Sequence, residues 1–399
     1  MAARRSRSTP RRGNDSYRSP SLPADHRYQV VALVLQGGGA LGAYQAGVYQ
    51  GLAEAQLHPN WVAGISIGAL NAAIIAGNPP ERRVARLQEF WETICRPPLL
   101  PSSPMSQLDA SAWPEPLIEL VNRWEAWRAL TEGQNGFFRP RAPFGLDGSA
   151  TPDTTSYYDT TPLKATLEAL VDFDRLNDSR DLRVSVGAVN VATGNFVYFD
   201  NTRERLHAEH FMASGALPPG FPAVEIDGGY YWDGGVVSNT PLQEVLVTTP
   251  RRNSLVFQVD LWSARGALPG DLPAVVLRQK DIQYSSRTRM ITTYVATMQK
   301  HRRLLGELMK LVPEDAREHN PWYRRAAEEA CDRLFNVFHL IYRDKRCEGS
   351  FKDFQFGART MRDHWESGLE DIRRSLAHPD WLDMPTAEEP FVTHDVHRK

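Results

Sequence analysis

The chain has little cysteine and no large excess of charge of either sign. Its 399 residues carry a formal net charge of −2 at pH 7. A charge so near zero gives the whole chain no attraction to nucleic acid, so we expect no nucleic-acid partner. The three cysteines, Cys95, Cys331 and Cys347, are odd in number and widely spaced. That spacing argues against a disulfide framework and a zinc cluster, and it favours a reducing, cytoplasmic setting.

Long apolar runs are also missing. No stretch of about eighteen consecutive apolar residues occurs, so the sequence predicts no membrane-spanning helix. Residues 1–27 lack the apolar segment of a secretory signal, and six arginines stand among the first twenty residues against one acid, Asp15. This composition predicts a disordered basic arm, with attraction to a membrane surface as the alternative. We therefore expect a cytoplasmic protein, for which peripheral membrane contact is the alternative.

Strands and helices alternate from residue 28 onward. Val30–Leu35 is a continuous apolar run of the kind that fills a central parallel strand, and residues 61–65 form a second run. Helical spacing follows each of them, over residues 40–55 and 67–76. This order predicts a layered α/β core over residues 28–262. Further helices are predicted over residues 81–94 and 161–171, and further strands over 182–191, 195–200 and 254–261.

Two regions depart from this alternation. Residues 96–159 are rich in Pro, Trp and Gly, with one predicted helix at 115–130. Their aromatic residues form a lid or membrane-facing surface, or they pack over the core. Residues 263–385 have mainly helical patterns with one possible strand at 336–342, and we expect a separate, mainly helical C-terminal domain there. Residues 386–399 are expected to be a flexible tail.

A nucleophile motif follows the second predicted strand. Gly64, Ser66 and Gly68 match G-x-S-x-G, and the motif joins a predicted strand to a predicted helix. A sharp turn of this kind exposes the serine in strained backbone geometry, and the glycines avoid collisions with neighbouring backbone. The start of the following helix also stabilises developing negative charge. The context therefore predicts a catalytic serine.

A glycine cluster follows the first predicted strand. Gly37, Gly38, Gly39 and Gly42 satisfy G-x-G-x-x-G, so a dinucleotide site is one reading. The next strand argues against that reading, because it ends in Ser66 and not in an acidic residue that would bind a ribose. A Walker A loop would need a lysine after the glycines, and none is present. The pattern favours an oxyanion hole in which backbone N–H groups turn toward an acyl intermediate.

A serine hydroxyl needs a base, and two aspartates compete for that role. Asp227 lies in a pattern typical of a hairpin turn. Asp233 follows the second hairpin strand, and Gly234 and Gly235 would let its carboxylate reach a neighbouring strand end. We favour Asp233. None of the eleven histidines lies in a recognisable triad segment, so we expect a Ser–Asp pair instead of a triad.

Together these segments resemble the patatin-like phospholipases, over roughly residues 29–262. The resemblance also covers residues 212–222 and 233–241, in the family's order. It implies a three-layer α/β/α fold, hydrolysis of fatty-acyl esters in lipids, and no metal or organic cofactor. One position departs from the family: Leu41 stands where many members have Arg or Lys. The later region resembles the additional C-terminal domain of some bacterial members.

The expected function is therefore a phospholipase A-like lipid acyl hydrolase with a lipid or fatty-acyl ester as substrate. Two alternatives remain. The same chemistry would serve a carboxylesterase or a polyester depolymerase that acts on other esters. A non-catalytic lipid-binding or docking protein with a vestigial site is the other. The pattern indicates no oligomeric state.

Overall fold

The computed structural model describes residues 28–96, 113–141, 151–178, 182–317, 319–343 and 351–397, without the side chains of residues 286–289. The expected basic arm, residues 1–27, lies outside these ranges. The strands are β1 Val30–Leu35, β2 Trp61–Gly64, β3 Arg139–Pro140, β4 Tyr158–Asp159, β5 Arg183–Asn190, β6 Phe196–Asp200, β7 Val224–Ile226, β8 Gly229–Asp233, β9 Ser254–Asp260, β10 Phe335–Ile341 and β11 Phe391–His394. The α-helices are α1 Ala43–Glu54, α2 Ile67–Ala76, α3 Pro80–Ile94, α4 Glu115–Glu132, α5 Thr161–Leu170, α6 Phe173–Asn177, α7 Ala208–Ser214, α8 Leu242–Val247, α9 Leu272–Lys310, α10 Glu314–Arg317, α11 Pro321–Glu329 and α12 Ala358–Leu376.

Within these ranges a nine-stranded sheet forms the middle layer, in the order β11-β10-β9-β1-β2-β5-β8-β7 with β6 also paired to β5. The strands from β11 to β5 pair in parallel, whereas β6, β7 and β8 pair antiparallel to their neighbours. Parallel central strands are buried on both faces, which explains why β1 is apolar at every position. This confirms the expected mixed α/β class.

Alternate residues of β1 point into two different apolar layers. Val31, Leu33 and Leu35 pack with α1, α2, α3, α5 and α12 on one face of the sheet. Val30, Ala32 and Val34 pack with α8 and α9 on the other. The period of two in a strand separates the two sets, and helices cover both faces. The result is the three-layer α/β/α architecture that the resemblance implied.

The C-terminal region does not form a separate unit, contrary to the boundary expected at residue 262. β10 pairs with β9 from Phe335 to Ile341 and so continues the central sheet. β11 pairs with β10 inside the segment expected to be a flexible tail, and Phe391 is buried there. The tail prediction is therefore wrong for residues 391–394. Four residues are too short a run to reveal a strand from sequence, because their stability comes from the sheet edge they join.

Helices α1 and α12 pack with their backbones in contact. A side chain at Gly47 would collide with the carbonyl oxygen of Trp365, and one at Gly368 would collide with that of Tyr44. Glycine permits this close approach because it has no Cβ. The helical C-terminal region is thus part of the same packed core as the helix that follows the glycine cluster.

The aromatic residues of the 96–159 excursion divide between core and surface. Phe137 and Phe138 are buried and contact Phe221. Trp124 and Trp127 on α4 are each 54% exposed and stack on one another. Residues 97–112 and 142–150 of the excursion lie outside the described ranges. Among the helices that the structure describes, none combines the length and apolar character needed to cross a bilayer.

Candidate active site

Ser66 sits on a strained turn between β2 and α2. Its backbone has φ 55° and ψ −126°, a conformation that costs a residue with a Cβ about 1–3 kcal/mol. A side chain at Gly64 would collide with the backbone of Gly68, and a side chain at Gly68 would collide with that of Leu35. The Ser66 N–H donates to both the carbonyl and the hydroxyl oxygen of Ser214, at 3.1 and 3.0 Å. These contacts fix the turn and leave the serine hydroxyl at its apex.

Asp233 reaches Ser66 through the register of β5. On one edge of β5, Gly64 of β2 lies opposite Val186 and Asp233 of β8 lies opposite Ala188. β6 pairs with the other edge of β5 over the same residues. β2 and β8 therefore share one edge of β5, and β8 pairs with it just beyond the point where β2 ends. The Ser66 side chain lies close enough to the Asp233 carboxyl group to lower its pKa. The two residues expected to act together are therefore adjacent in space.

The Asp233 carboxylate is buried, with only 2% of the residue exposed. Burial raises its pKa from an ordinary 3.8 to about 7, because desolvation penalises the charged form. The nearby Ser66 side chain and a 2.7 Å hydrogen bond from the Gly235 N–H favour the charged form and oppose that rise of the pKa. A carboxyl group that titrates near neutral pH can both accept and return a proton.

The glycine cluster forms a loop, residues 37–42, that passes beside Ser66. We call it the glycine loop. The Gly37 carbonyl accepts hydrogen bonds from Asn239 Nδ2 at 2.9 Å and from Trp262 Nε1 at 2.8 Å. In a trans peptide the carbonyl and the next N–H point in opposite directions, so these two bonds aim the Gly38 N–H away from Asn239 and Trp262. For the part of the chain that is described, no protein acceptor binds the N–H of Gly38 or Gly39.

Close contacts explain why glycine occupies these positions. A Cβ on Gly37 would collide with the Asn239 side chain, and one on Gly38 would lie 2.7 Å from Leu261. Gly39 has φ 57° and abuts the carbonyl oxygen of Asp353. Gly42 packs on Ile67, the first residue of α2. Gly234 likewise lies against the backbone of Gly187, where a Cβ would approach the carbonyl oxygen to 2.7 Å.

Four residues that support the site had no assigned role in the sequence. Ser214 fixes the nucleophile turn and donates to the Gly187 carbonyl at 2.7 Å. Asn239 and Trp262 fix the Gly37 carbonyl. The Gln36 side chain accepts from the N–H groups of Leu261 and Trp262 at 2.6 and 3.0 Å. Ser214 and Asn239 fall in segments that carried the resemblance, whereas no sequence signal pointed to Trp262.

The rejected candidates lie elsewhere. Asp227 is exposed on the β7–β8 turn with φ 50°. His210 is buried against Phe199 and accepts from the N–H of His207 at the start of α7.

Leu41 is fully buried in the core, so the glycine loop itself carries no charged side chain. In the described ranges no three His, Cys, Asp or Glu side chains are grouped to bind a metal ion.

The fold is that of a three-layer α/β/α protein, in which Ser66, Asp233 and the glycine loop lie close together. A family model described as patatin-like phospholipase matches residues 33–246, and one described as patatin phospholipase matches residues 282–388. The chain therefore belongs to the patatin-like phospholipase family. Membership supports a lipid hydrolase activity.

Individual relatives are distant or match only a short segment. The triacylglycerol lipase SDP1L of Arabidopsis thaliana is 39% identical over 67 residues, which are 17% of this chain and 8% of the relative. VipD of Legionella pneumophila is 15% identical over 88% of this chain and 67% of its own, with a TM-score of 0.36. The type III effector ExoU is 13% identical over 92% of this chain and 55% of its own, with a TM-score of 0.30. The similarity to SDP1L thus covers under a tenth of that protein.

Proposed function

We propose that this protein is a phospholipase A-like lipid acyl hydrolase that cleaves fatty-acyl esters through an acyl-enzyme on Ser66. One observation supports this above all: Ser66, on a strained turn, lies beside the buried carboxyl group of Asp233 and lowers its pKa. The Gly38 and Gly39 N–H groups, which have no described protein acceptor, lie in the neighbouring glycine loop. A nucleophile, a base and oxyanion donors are the three parts that acyl transfer needs.

The first half-reaction transfers the acyl group to the protein. Asp233 takes the hydroxyl proton as Ser66 Oγ forms a bond to the ester carbonyl carbon. The carbonyl oxygen becomes an oxyanion, which accepts hydrogen bonds from Gly38 and Gly39. Collapse of this intermediate breaks the bond to the alcohol, which leaves with the proton from Asp233. An acyl ester on Ser66 and a free alcohol result.

The second half-reaction returns the protein to its starting state. Asp233 takes a proton from water as the water oxygen attacks the acyl carbonyl carbon. The second oxyanion collapses, the bond to Ser66 Oγ breaks, and Asp233 returns the proton to that oxygen. The fatty acid is released. Because every step uses only protein groups and water, we expect a chelator to leave the rate unchanged.

Phospholipid is the substrate class that the family supports best. The name of the Arabidopsis relative makes triacylglycerol the next substrate to compare. A lipid substrate lies in an interface, and the stacked, exposed pair Trp124 and Trp127 on α4 is suited to contact it. Tryptophan favours the boundary between water and lipid because its ring is apolar while its N–H remains polar. We propose that α4 makes this peripheral contact with the lipid surface.

The test is release of fatty acid by the purified protein from phospholipid vesicles, triacylglycerol emulsion and soluble short-chain esters. Ser66→Ala and Asp233→Asn should each lower turnover at least about a thousandfold with the fold intact. Asp227→Asn should keep the turnover of the parent. A fluorophosphonate should label the parent and not Ser66→Ala. Activity on short esters alone would favour the carboxylesterase or polyester alternative. A folded parent without labelling or turnover would indicate a vestigial site.

A further inference from the structure

A short turn from the C-terminal region presses directly on the glycine loop. The 3-10 turn Lys352–Phe354 packs against Gly39–Gly42, and the carbonyl oxygen of Asp353 abuts the Cα of Gly39. Any side chain on Gly39 would collide with that oxygen. The position of this turn therefore limits where the Gly39 peptide can lie.

Two crossed ion pairs attach the turn to α9. Lys352 Nζ lies 2.9 Å from an oxygen of Asp281, and Lys280 Nζ lies 2.8 Å from an oxygen of Asp353. Two consecutive residues of the turn are thus paired with two consecutive residues of the helix. Lys352 is buried, with about 1% of its side chain exposed. A charge is tolerated in such a position only when a partner compensates its lost hydration, which ties the turn to a single position on α9.

Lys352 also connects the turn to the bond that orients the glycine loop. Its ammonium group lies 4.9 Å from the ring centroid of Trp262, within cation–π range. The Nε1–H of that ring donates to the Gly37 carbonyl and so helps to aim the Gly38 N–H. Displacing Lys352 would therefore change the orientation of the peptide between Gly37 and Gly38.

Other contacts from the C-terminal region converge on the same loop. The Tyr284 carbonyl of α9 accepts a hydrogen bond from Gln36 at 3.1 Å, and the Tyr284 ring packs on Trp262 with centroids 5.1 Å apart. His364 of α12 places Nδ1 3.3 Å from the Ala40 carbonyl. The catalytic half of the chain thus has its glycine loop enclosed by residues far downstream.

We propose that the Lys352–Phe354 turn, through the Lys352–Asp281 pair and Trp262, positions the glycine loop for the chemical step. Lys352 is a positioning residue and does not touch the substrate. The proposal rests on the proposed function, because the turn would position the N–H groups that stabilise the oxyanion in that reaction. The C-terminal region would then be required for turnover and not only for stability.

The decisive experiment compares Lys352→Met with Arg183→Met. Arg183 is a matched control because it too lies over a tryptophan, 3.7 Å from the Trp61 centroid, and pairs with a buried carboxylate, Asp200, at 2.7 Å. It lies at the opposite end of β2 from Ser66. Fluorophosphonate labelling to completion counts the folded sites, and kcat is then expressed per labelled site. This removes any loss caused by unfolding alone.

Lys352→Met should lower kcat per labelled site about ten- to a hundredfold, because displaced oxyanion donors slow acyl transfer by factors up to about a thousand. KM and the acid limb of the pH profile should stay unchanged, since Asp233 is not affected. Lys352→Arg should recover part of the rate. Arg183→Met should keep the parent kcat per labelled site even if its melting temperature falls.

Trp262→Phe gives an independent arm if Lys352→Met does not fold. It keeps an aromatic side chain but removes the indole N–H that binds the Gly37 carbonyl, together with the five-membered ring, so it should also lower kcat per labelled site about tenfold. Parent-like kcat in a foldable Lys352→Met, or in Trp262→Phe when Lys352→Met does not fold, would overturn the inference. An equal loss in Arg183→Met would do the same. A parent that neither labels nor turns over would instead refute the proposed function.

Discussion

Ser66 and Asp233 are neighbours because the strands that lead to them follow one another along a single edge of β5. β2 ends beside Val186, and Asp233 at the end of β8 lies beside Ala188. Because β8 of the β7–β8 hairpin runs antiparallel to β5, it ends at Asp233, next to the end of β2. A slip of one residue in β8 would point the Asp233 side chain to the other face of the sheet.

The rate should depend on pH through Asp233. Burial raises the pKa of this group to about 7, and the proposed base must be ionised to accept the Ser66 proton. We expect kcat/KM for a soluble ester to fall as pH drops below about 7, with one proton taken up. Initial rates from pH 5 to 9 measure this limb. A limb near pH 4, the ordinary range of a carboxyl group, would show that burial does not raise the pKa of the base.

Asp233→Asn should be more stable than the parent at alkaline pH. The pKa of Asp233 is about 7 in the folded chain and near 4 when unfolded, so between these values only the folded state binds the proton. The free energy of unfolding therefore falls as pH rises through this window. At pH 8 the amide, which is never charged, should add on the order of 2–4 kcal/mol.

Denaturant unfolding at pH 5 and pH 8 measures the effect, and the gain should be smaller at pH 5. Asp227→Asn is the control, because Asp227 is exposed. A stability difference between Asp233→Asn and the parent that does not change with pH would contradict the buried-charge explanation.

One substitution should have opposite effects at two helical glycines. Gly47→Ala places a methyl group against the Trp365 carbonyl of α12 and should cost at least about 2 kcal/mol. Gly306→Ala on α9 has its nearest neighbour at 3.8 Å and should stabilise by roughly 0.5–1 kcal/mol, since alanine favours a helix. Thermal unfolding of both variants tests this. Equal effects would argue against the close packing of α1 on α12.

The stacked tryptophans on α4 should affect hydrolysis only when the substrate lies in a lipid–water interface. Replacing both Trp124 and Trp127 with Ala should lower hydrolysis of vesicle phospholipid about tenfold, because two interfacial aromatic anchors are lost. Activity on a soluble short-chain ester should change less than about twofold. Trp322→Ala, at a tryptophan that is 73% exposed on α11, is the control. Equal losses on both substrates would place the pair in a structural role.

Local signals determined much of this protein. Apolar runs predicted β1, β2 and β9, and helical spacing predicted α2 with the bounds that the structure has. The glycines and Ser66 were identified because a strained turn and close backbone approach restrict residue type at the position itself. Asp233 was preferred over Asp227 for a similar local reason, since hairpin and loop patterns distinguish their surroundings.

Tertiary structure alone decided what encloses the site. The pairing of β10 with β9, the four-residue strand β11 and the contact of Asp353 with Gly39 join segments far apart in the chain. Trp262 and Lys352 acquire their roles only from such contacts. Their own neighbours in sequence do not require them, because the energy of a buried ion pair or of a hydrogen bond to Gly37 depends on a partner that folding supplies. The sequence thus defined the candidate reactive groups, and packing defined their support.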